Sequence, residues 1–453
     1  MPMSAIEDYL QRHGDEFLAE LFELLRIPSV SADPDRAGDV ERAAHWVADK
    51  LAAAGLTSEV VATEGHPIVY AESPHVAGRP TVLVYGHYDV QPADPLELWR
   101  SPPFEPEIRD GSIYARGATD DKGQMLTHLF SARAWIEAGG GLPVNLKYLI
   151  EGEEEVGSEA LAGFIAANTQ RLACDAIVVS DGGQFAPGQP AITYGLRGIA
   201  YFEVTVRGPD RDLHSGSFGG SITNPALALV RMLSGLIDEA GRVQLPGFYD
   251  EVVPLPDEER RALAGLPFDE RQYLEQAGVS GTWGESGYSL LERRWARPTY
   301  DICGLTSGYQ GAGGKTIIPH KASAKISFRL VPNQSPETVG AALAAMLPEI
   351  APPGVVVEVE PLHGAPSLLV SLDSPRVKAA RRALEHAFGR APVMTREGGS
   401  IPIVATLREK LGADTLLLGW GQDDDNAHSP NERFSVADFH RGIRASARLW
   451  AEL

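Results

Sequence analysis

The sequence is poor in cysteine and has no long apolar run. Cys174 and Cys303 are the only cysteines in 453 residues, so the chain has neither a disulfide framework nor a CxxC motif. Such sparse thiols are typical of proteins from a reducing compartment, and we expect the cytoplasm. No apolar run approaches the ~20 residues that a membrane-spanning helix needs, so we expect no membrane partner.

Positive charge is also scarce. Lys and Arg number 40 against 61 Asp and Glu, which gives a formal net charge of −21. An acidic chain is repelled by phosphate groups and by anionic lipid surfaces, so nucleic acid is not expected as a partner either. The opening sequence MPMSAIEDYL lacks the basic and then apolar segments of a secretory signal peptide, and we expect no such leader.

The remaining composition is that of a globular protein, with 43% apolar and 22% charged residues. Helical and strand-like segments alternate before residue 192 and return after residue 374, which predicts an α/β fold with a mixed, mostly parallel sheet. Between them, apolar and polar residues alternate as in half-exposed antiparallel strands. We therefore expect one domain from 1–192 and 377–453 and an inserted α+β domain at 193–376. The pattern at 241–299 supports no assignment.

The first domain is organised around Thr81–Pro92, TVLVYGHYDVQP, because this stretch places a His-x-Asp pair where an apolar run stops. The run at 82–85 is continuous rather than alternating, which predicts a buried parallel strand. Open α/β sheets bind ligands beyond the carboxyl ends of their strands, so His87 and Asp89 are expected in a site. Asp89 can fix the tautomer of the His87 imidazole from behind.

Further apolar runs also stop at acidic or histidine residues: 145–150 stops at the glutamates of EGEEEVGS, 176–179 stops before Asp181, and 415–419 leads into the loop of His428. In addition, a loop rich in Pro and Gly delivers Asp120 to the start of a predicted helix. The strand ends and this loop therefore collect five candidate ligands: His87, Asp120, Glu155, Asp181 and His428.

Two imidazoles and three carboxylates suit zinc, manganese or cobalt, whereas an all-oxygen set would suit calcium or magnesium. If one carboxylate bridges two ions, one His and one carboxylate remain for each. We therefore expect two divalent cations, with Zn²⁺ as first choice and Mn²⁺ or Co²⁺ as alternatives. Such a pair activates a bridging water as hydroxide and polarises a carbonyl. Glu154, beside a ligand, can then act as general base.

Together these motifs resemble the M20 family of dinuclear metallopeptidases, and within it the cytosolic non-specific and carnosine-type dipeptidases. The motifs follow the family's order over nearly the whole chain: GHYDVQP (86–92), YARGATDDKG (114–123), EGEEEVGS (151–158), SDGG (180–183), RDLHSG (211–216), ISFRLVP (326–332), REGGSIP (396–402) and DDNAHSPNE (424–432). The resemblance implies a zinc-exopeptidase-like catalytic domain, an inserted lid and dimerisation domain, and a homodimer.

The resemblance also implies roles for single residues. Asp120 would bridge the two ions, with His87 and Asp181 on one ion and Glu155 and His428 on the other. Glu154 matches the general base and Asp89 the carboxylate that orients His87, although the chain has EEE where the family has EE, which leaves a role for Glu153 open. In the lid, His214 matches the residue that stabilises the oxyanion and Arg329 the one that binds the substrate carboxylate. Ser400 of REGGS, His363 and Thr316 would make further substrate contacts. In similar dipeptidases the counterpart of His214 comes from a partner subunit.

The predicted function is hydrolysis of dipeptides or short peptides that carry a free C-terminal carboxylate. The nearest alternative is an N-acyl amino acid deacylase of the acetylornithine or succinyl-diaminopimelate type, because its substrates also present a carboxylate. YARGATDDKG and RDLHSGSFGG favour the dipeptidases. A non-catalytic protein of the same fold could have lost the base, yet Glu154 and all five ligands are present.

Overall fold

The computed structural model describes residues 3–399 and 401–453. The described chain forms two compact units. The first unit contains the chain up to Tyr194 together with Val370–Thr395 and Thr406–Leu453, and the second contains Gly195–Leu369 and Arg396–Ala405.

The sequence-based limits differ from these by a few residues at 193–194 and 370–376, and they also leave 396–405 in the first domain. The physical reason lies in Arg197, whose backbone N–H donates to Glu397 O (3.2 Å) and whose Nε donates to Gly398 O (3.1 Å). These bonds join the segment to the second unit and have no signal in local sequence periodicity.

Helices occur in both units, and none in the described part of the chain is long and apolar enough to cross a lipid bilayer. Their bounds are α1 Met3–Arg12, α2 Gly14–Leu25, α3 Ala37–Ala53, α4 Lys122–Glu137, α5 Glu159–Ala167, α6 Thr169–Leu172, α7 Ser215–Phe218, α8 Pro225–Ser234, α9 Asp257–Ala264, α10 Glu270–Ala277, α11 Leu290–Trp295, α12 Pro336–Ile350, α13 Pro375–Phe388, α14 Pro402–Leu411 and α15 Val436–Glu452. Short 3₁₀ helices span Pro34–Arg36, Leu96–Leu98 and Glu154–Val156.

The strands form one large sheet and several smaller ones. Their bounds are β1 Thr57–Val61, β2 Ile68–Glu72, β3 Thr81–His87, β4 Glu107–Arg109, β5 Ser112–Tyr114, β6 Asn145–Glu151, β7 Ala176–Val179, β8 Ala191–Leu196, β9 Gly198–Arg207, β10 Leu213–His214, β11 Thr299–Ser307, β12 Ile317–Ile318, β13 Lys321–Leu330, β14 Val356–Ala365, β15 Leu368–Leu369, β16 Val393–Glu397, β17 Asp414–Leu418 and β18 Arg433–Ser435.

The large sheet of the first unit runs in the order β1-β2-β6-β3-β7-β17-β8. Its centre is parallel, since β3 pairs in parallel with β6 and β7, and β7 with β17. Its outer pairs, β1 with β2, β2 with β6 and β17 with β8, are antiparallel. This confirms the predicted α/β fold with a mixed sheet. The strand β3 is buried on both faces, as its continuous apolar run predicts.

The apolar residues Ile6, Leu10, Phe17, Leu21 and Leu24 follow one another at helical spacing, which predicts a single first helix up to about Arg26. This prediction is wrong, because the structure has two helices that break at His13. Gly14 begins the second of them. Glycine is a poor helix former because it loses the most backbone freedom on folding, so the apolar spacing continues across a point where the helix does not.

The second unit is built on an antiparallel sheet in the order β11-β13-β9-β14. Helices α8 and α12 pack on this sheet. Alternate residues of β9 and β13, among them Phe202, Val204, Ile326 and Phe328, form its core together with Leu343 of α12. The period-two pattern of the sequence therefore gave the correct face of each strand.

The segment 241–299, which has no clear sequence pattern, contains α9, α10 and α11. It is held by a buried ion pair in which Arg297 Nε and Nη2 donate to the two oxygens of Glu285 at 2.7 and 2.9 Å. Arg242 adds a third bond to the same carboxylate at 3.0 Å. The three helices are only six to eight residues long, which is too short for a hydrophobic period to be recognised in the sequence.

Candidate active site and metal centre

The candidate site lies where the parallel strands of the first unit end. Because β3, β6, β7 and β17 run in the same direction, their carboxyl ends meet at one edge of the sheet. The ligand candidates at or after these ends are His87 for β3, Glu155 for β6, Asp181 for β7 and His428 for β17. Asp120 joins them from the loop before α4.

A first group consists of His87, Asp120 and Asp181. Nε2 of His87 lies 3.2 Å from Asp120 Oδ1 and 3.9 Å from Asp181 Oδ2, and the His87 side chain is fully buried. Among the described residues this nitrogen has no hydrogen-bond partner of acceptable geometry. A buried imidazole nitrogen that faces two carboxylates without such a bond is suited to a cation.

A second group consists of Asp120, Glu155 and His428. Nε2 of His428 lies 2.9 Å from Asp120 Oδ2 and 3.2 Å from Glu155 Oε2. Gln91 Nε2 donates to the same Glu155 oxygen at 2.8 Å, which orients this carboxylate. Within each group, one ligand atom from every residue lies within 4.8 Å of the others. Asp120 belongs to both groups and offers one oxygen to each.

The donor set fits two divalent cations that share Asp120. It combines imidazole nitrogen with carboxylate oxygen, which is the ligand chemistry of zinc, manganese and cobalt. The five side chains come from four strand ends and one loop, and together they carry more negative than positive charge. Bound cations would neutralise this excess.

The pKa values of the candidate ligands also indicate that the site favours bound positive charge. Burial, reinforced by the charge of Asp120, raises the pKa of Asp181 to about 7. Hydrogen bonds to Asp120 and then to Glu155 raise the pKa of His428 to about 10. Burial works against the charged form of Asp120, but His428 and His87 outweigh it and hold the pKa of Asp120 below its usual value. In the absence of a metal, protons therefore supply the positive charge.

The carboxylate of Asp89 contacts both His87 and the backbone of the turn that carries Glu154 and Glu155. Its Oδ1 lies 3.3 Å from His87 Nδ1 and accepts the backbone N–H of Glu154 at 3.3 Å. Its Oδ2 accepts the N–H of Glu155 at 3.2 Å and the hydroxyl of Ser31 at 2.6 Å. Asp89 is fully buried, so it orients the imidazole and the glutamate turn without itself facing substrate.

The glutamates of EGEEEVGS have different environments. Glu151 accepts from Tyr85 Oη and Ser158 Oγ at 2.7 and 2.8 Å. Glu153 accepts the N–H groups of His66 (2.9 Å) and Ala160 (3.2 Å). The Glu151 carboxylate is therefore bonded to a residue of β3 and to Ser158, and the Glu153 carboxylate is bonded to the backbone before β2 and at the start of α5.

The carboxylate of Glu154, in contrast, forms no hydrogen bond or ion pair among the described residues, although its backbone N–H is held by Asp89. Burial raises the pKa of Glu154 to about 8, against the positive charge of His87 and with the help of Asp181. A half-buried acid whose pKa lies near neutrality can accept and return a proton. Because the Glu153 carboxylate is hydrogen-bonded and that of Glu154 is not, these contacts favour Glu154 over Glu153 as the general base.

In the second unit, His214 ends the short strand β10, and Thr316 directly precedes the neighbouring strand β12. His214 pairs with Ile317, and the N–H of Ser215 donates to the carbonyl oxygen of Thr316 at 3.1 Å. The N–H of Gly216 donates to His214 Nδ1 at 3.0 Å. This bond makes Nδ1 an acceptor and leaves the proton of the neutral ring on Nε2.

Arg329 and His363 flank strand β9 from either side. Arg329 of β13 pairs with Ile199 of β9, and His363 of β14 pairs with Tyr201 of β9. The rings of His363 and Tyr201 have centroids 5.0 Å apart. Burial and the charge of Arg329 lower the pKa of His363, so this imidazole is a neutral polar group at pH 7. The predicted contact Ser400 lies outside the described residues.

Sequence reasoning missed several supporting side chains. Gln91, Arg116 and Glu432 belong to the motifs GHYDVQP, YARGATDDKG and DDNAHSPNE. Their place in these motifs is the sequence feature that indicates a role near the site. Ser31 lies far from any ligand in the chain and has no such signal. Its partner Asp89 is 58 positions away.

Comparisons with known proteins agree with this geometry. The family described as Peptidase family M20/M25/M40 matches residues 83–452. Cys-Gly metallodipeptidase DUG1 from Candida albicans is 34% identical over 98% of this chain and 96% of its own length. Beta-Ala-His dipeptidase from Homo sapiens is 33% identical over 100% of this chain and 92% of its own.

A similar solved structure is that of the M20 family metallo-carboxypeptidase Sso-CP2 from Sulfolobus solfataricus. It has a TM-score of 0.86 and 34% identity, and the alignment covers 96% of this chain and 98% of that chain. The matched family range includes all five candidate ligands. The chain is therefore a member of peptidase family M20/M25/M40, as its motifs predict.

Proposed function

We propose that the protein is a dinuclear metal-dependent dipeptidase, which hydrolyses dipeptides or short peptides with a free C-terminal carboxylate. The observation that supports it most is the arrangement of two ligand groups through the shared Asp120, beside the unengaged carboxylate of Glu154. The names of the relatives, two dipeptidases and a carboxypeptidase, support a peptide substrate.

His87 and Asp181 would hold one cation and Glu155 and His428 the other, with Asp120 between them. When bound, two divalent cations supply Lewis acidity, which acidifies a water molecule and polarises the scissile carbonyl. Glu154 takes a proton from that water as the oxygen attacks the carbonyl carbon. It then passes this proton to the amine nitrogen as the C–N bond breaks.

The second unit supplies the groups that recognise the substrate. His214 donates from Nε2 to the developing oxyanion, and Arg329 offers its two-pronged guanidinium to the terminal carboxylate. His363, Thr316 and Ser400 contribute further contacts. We propose a homodimer in which His214 of one subunit serves the site of the other. This part of the proposal is supported by the motif RDLHSG and its resemblance to the dipeptidases.

A screen of metal-loaded protein against dipeptides, tripeptides and N-acetyl amino acids tests the proposal. Dipeptides should be cleaved fastest. Faster turnover of N-acetyl amino acids would replace the proposal by the deacylase alternative, and no turnover of any class by protein with two bound ions would indicate a binding protein.

The number of ions is tested separately by elemental analysis of protein purified without chelator. Two ions per chain are expected. Saturation at one ion under excess zinc or manganese would contradict a shared Asp120.

A further inference from the structure

Glu432 is a fully buried carboxylate whose two oxygens accept four hydrogen bonds from a single loop. Its Oε2 accepts from Arg116 Nη1 at 2.8 Å and from the N–H of Gly117 at 2.9 Å. Its Oε1 accepts the N–H groups of Thr119 at 3.0 Å and Asp120 at 3.2 Å. One side chain thus fixes the backbone of the loop up to Asp120, the ligand that both metal groups share.

The strand pairing explains how Glu432 reaches this loop. Strand β18 pairs antiparallel with β5, with Arg433 opposite Tyr114. The pairing continues beyond the strands, since the N–H of Ala115 donates to the carbonyl oxygen of Glu432 at 3.2 Å. The loop of Asp120 leaves β5 where the loop of His428 enters β18, so Glu432 stands between them.

Asp425 forms a second link between the two loops. Its Oδ2 accepts the hydroxyl of Thr119 at 3.1 Å and the N–H of Gln422 at 2.8 Å, and its carbonyl oxygen accepts the N–H of Arg433 at 2.9 Å. The loop that carries His428 is therefore tied to the loop of Asp120 both before and after this histidine.

The His428 loop needs such external support because its backbone is strained. Asn426, His428 and Asn431 have φ values of 57°, 59° and 63°, in the left-handed region that L-residues rarely adopt. Strained backbone of this kind persists only where surrounding contacts hold it. Asn431 supplies two hydrogen bonds, since its Oδ1 accepts the N–H of Arg100 and its Nδ2 donates to Leu98 O, both at 2.8 Å. Glu432 next to it supplies four more.

We propose that Glu432 is a positioning residue of the metal centre, which sets Asp120 and His428 at the separation that the cations require. Its own oxygens are engaged by N–H donors, so it orients ligands without serving as one. Arg116 balances its charge within the protein. The inference rests on the proposed function, because it takes Asp120 and His428 as metal ligands.

The test is the metal affinity of E432Q, measured by competition with a chelator and by the visible absorption of the Co²⁺-loaded protein. Glutamine keeps the size of the side chain but replaces one of the two acceptor oxygens by a donor, which then faces two of the four N–H groups. Affinity for at least one Zn²⁺ should fall about 10–100-fold, as is typical when a residue behind a metal ligand is lost. The Co²⁺ spectrum should change as well.

E285Q is the matched control, because Glu285 is also a buried carboxylate paired with arginine but lies in the second unit. It should lower thermal stability and leave the Zn²⁺ affinity and the Co²⁺ spectrum unchanged. E432D separates position from charge. It keeps the negative charge but is too short to reach all four donors, so it should also weaken Zn²⁺ binding.

Wild-type affinity and spectrum in folded E432Q would overturn the inference, and so would wild-type affinity in E432D, since charge alone would then suffice. If neither variant folds, R116K removes the guanidinium that donates to Glu432 Oε2 and keeps a positive charge, so Glu432 is held less firmly, and unchanged Zn²⁺ affinity in R116K would overturn the inference. Failure of the wild type to bind two ions would instead contradict the proposed function.

Discussion

Ser31 Oγ donates a 2.6 Å hydrogen bond to Oδ2 of Asp89, and both side chains are buried. Asp89 in turn contacts His87 and the backbone of Glu154 and Glu155. A hydroxyl outside the candidate ligand set therefore holds the carboxylate that contacts both the proposed metal ligand His87 and the backbone of the proposed base Glu154.

S31A should lower kcat by about 10-fold while the protein still binds two ions, because Asp89 loses its shortest contact and the imidazole and the base lose alignment. Steady-state kinetics at saturating metal and elemental analysis measure both quantities. S29A is the control, since Ser29 Oγ also donates a buried 2.6 Å bond, to the carbonyl oxygen of Tyr88. Equal loss of kcat in both variants would assign the effect to the segment as a whole.

E154Q should lower turnover by about 10²–10⁴-fold with its metal content intact, because general base catalysis contributes that much. E153Q should keep its turnover but unfold more easily, by about 1–3 kcal/mol, since it weakens the bonds to His66 and Ala160. Thermal unfolding and initial rates of both variants decide between the two glutamates. Normal turnover by E154Q would move the role of base to Glu153.

Metal binding should release protons and become tighter as pH rises. Without metal, Asp181 has a pKa near 7 and His428 a pKa near 10, and both must lose their protons to become ligands. Calorimetric titration with Zn²⁺ at pH 7 in buffers of different ionisation enthalpy should detect the release of more than one proton per protein. A release close to zero would contradict these pKa shifts.

The same shifts predict how the stability of the metal-free protein depends on pH. For Asp181, Glu154 and His428 the folded pKa lies above the usual value, so each favours the folded state at low pH. That contribution is lost as pH rises through about 7, 8 and 10 in turn. The increase in Tm on adding Zn²⁺ should therefore grow between pH 6 and pH 9, and a constant increase would contradict this expectation.

R329A should weaken the cleavage of dipeptides with a free C-terminal carboxylate and leave amidated dipeptides unaffected. The guanidinium matches a carboxylate with two parallel hydrogen bonds, which an amide cannot accept in the same way. The comparison requires kcat/KM for both substrate forms with wild type and variant. An equal loss for both forms would indicate a structural role.

H214A should lower kcat by about 10²–10³-fold without loss of metal, as expected for an oxyanion donor. Mixing H214A with E154Q chains should then restore part of the activity, because a mixed dimer has one site with both wild-type groups. Subunit exchange must be verified independently. Verified exchange without recovery would place His214 in its own chain's site or outside catalysis.

The grouping of the five candidate ligands was predictable because it follows from where the apolar runs of the sequence end. Apolar runs that stop at His or acid mark strand ends, and parallel strands bring those ends to one edge of the sheet. The sequence also favours Glu154 as the proposed general base and leaves a role for Glu153 open, and the contacts of Glu153 with His66 and Ala160 argue against that role. Those contacts join segments that are distant in sequence.

The role of Ser31 could not be predicted for the same reason, because its partner Asp89 is 58 positions away in the chain. Glu432 stands in the motif DDNAHSPNE, but nothing in the sequence indicates that its partner is Arg116. The segment 241–299 shows no clear pattern in the sequence because its helices are only six to eight residues long, which is too short for a hydrophobic period to be recognised. Hydrophobic periodicity indicates which residues face a core, and it gives no information about which polar residues pair.

The bond between Arg116 and Glu432 spans 316 positions of the chain. Translation proceeds at about 5–20 residues per second, so on the order of 15–60 s pass between the synthesis of these two residues. During that interval the loop of Asp120 has neither its main support nor its partner His428. The second candidate ligand group, Asp120, Glu155 and His428, is therefore assembled late. Under the proposed function, a nascent chain would not bind a complete pair of metal ions before residue 432 has left the ribosome.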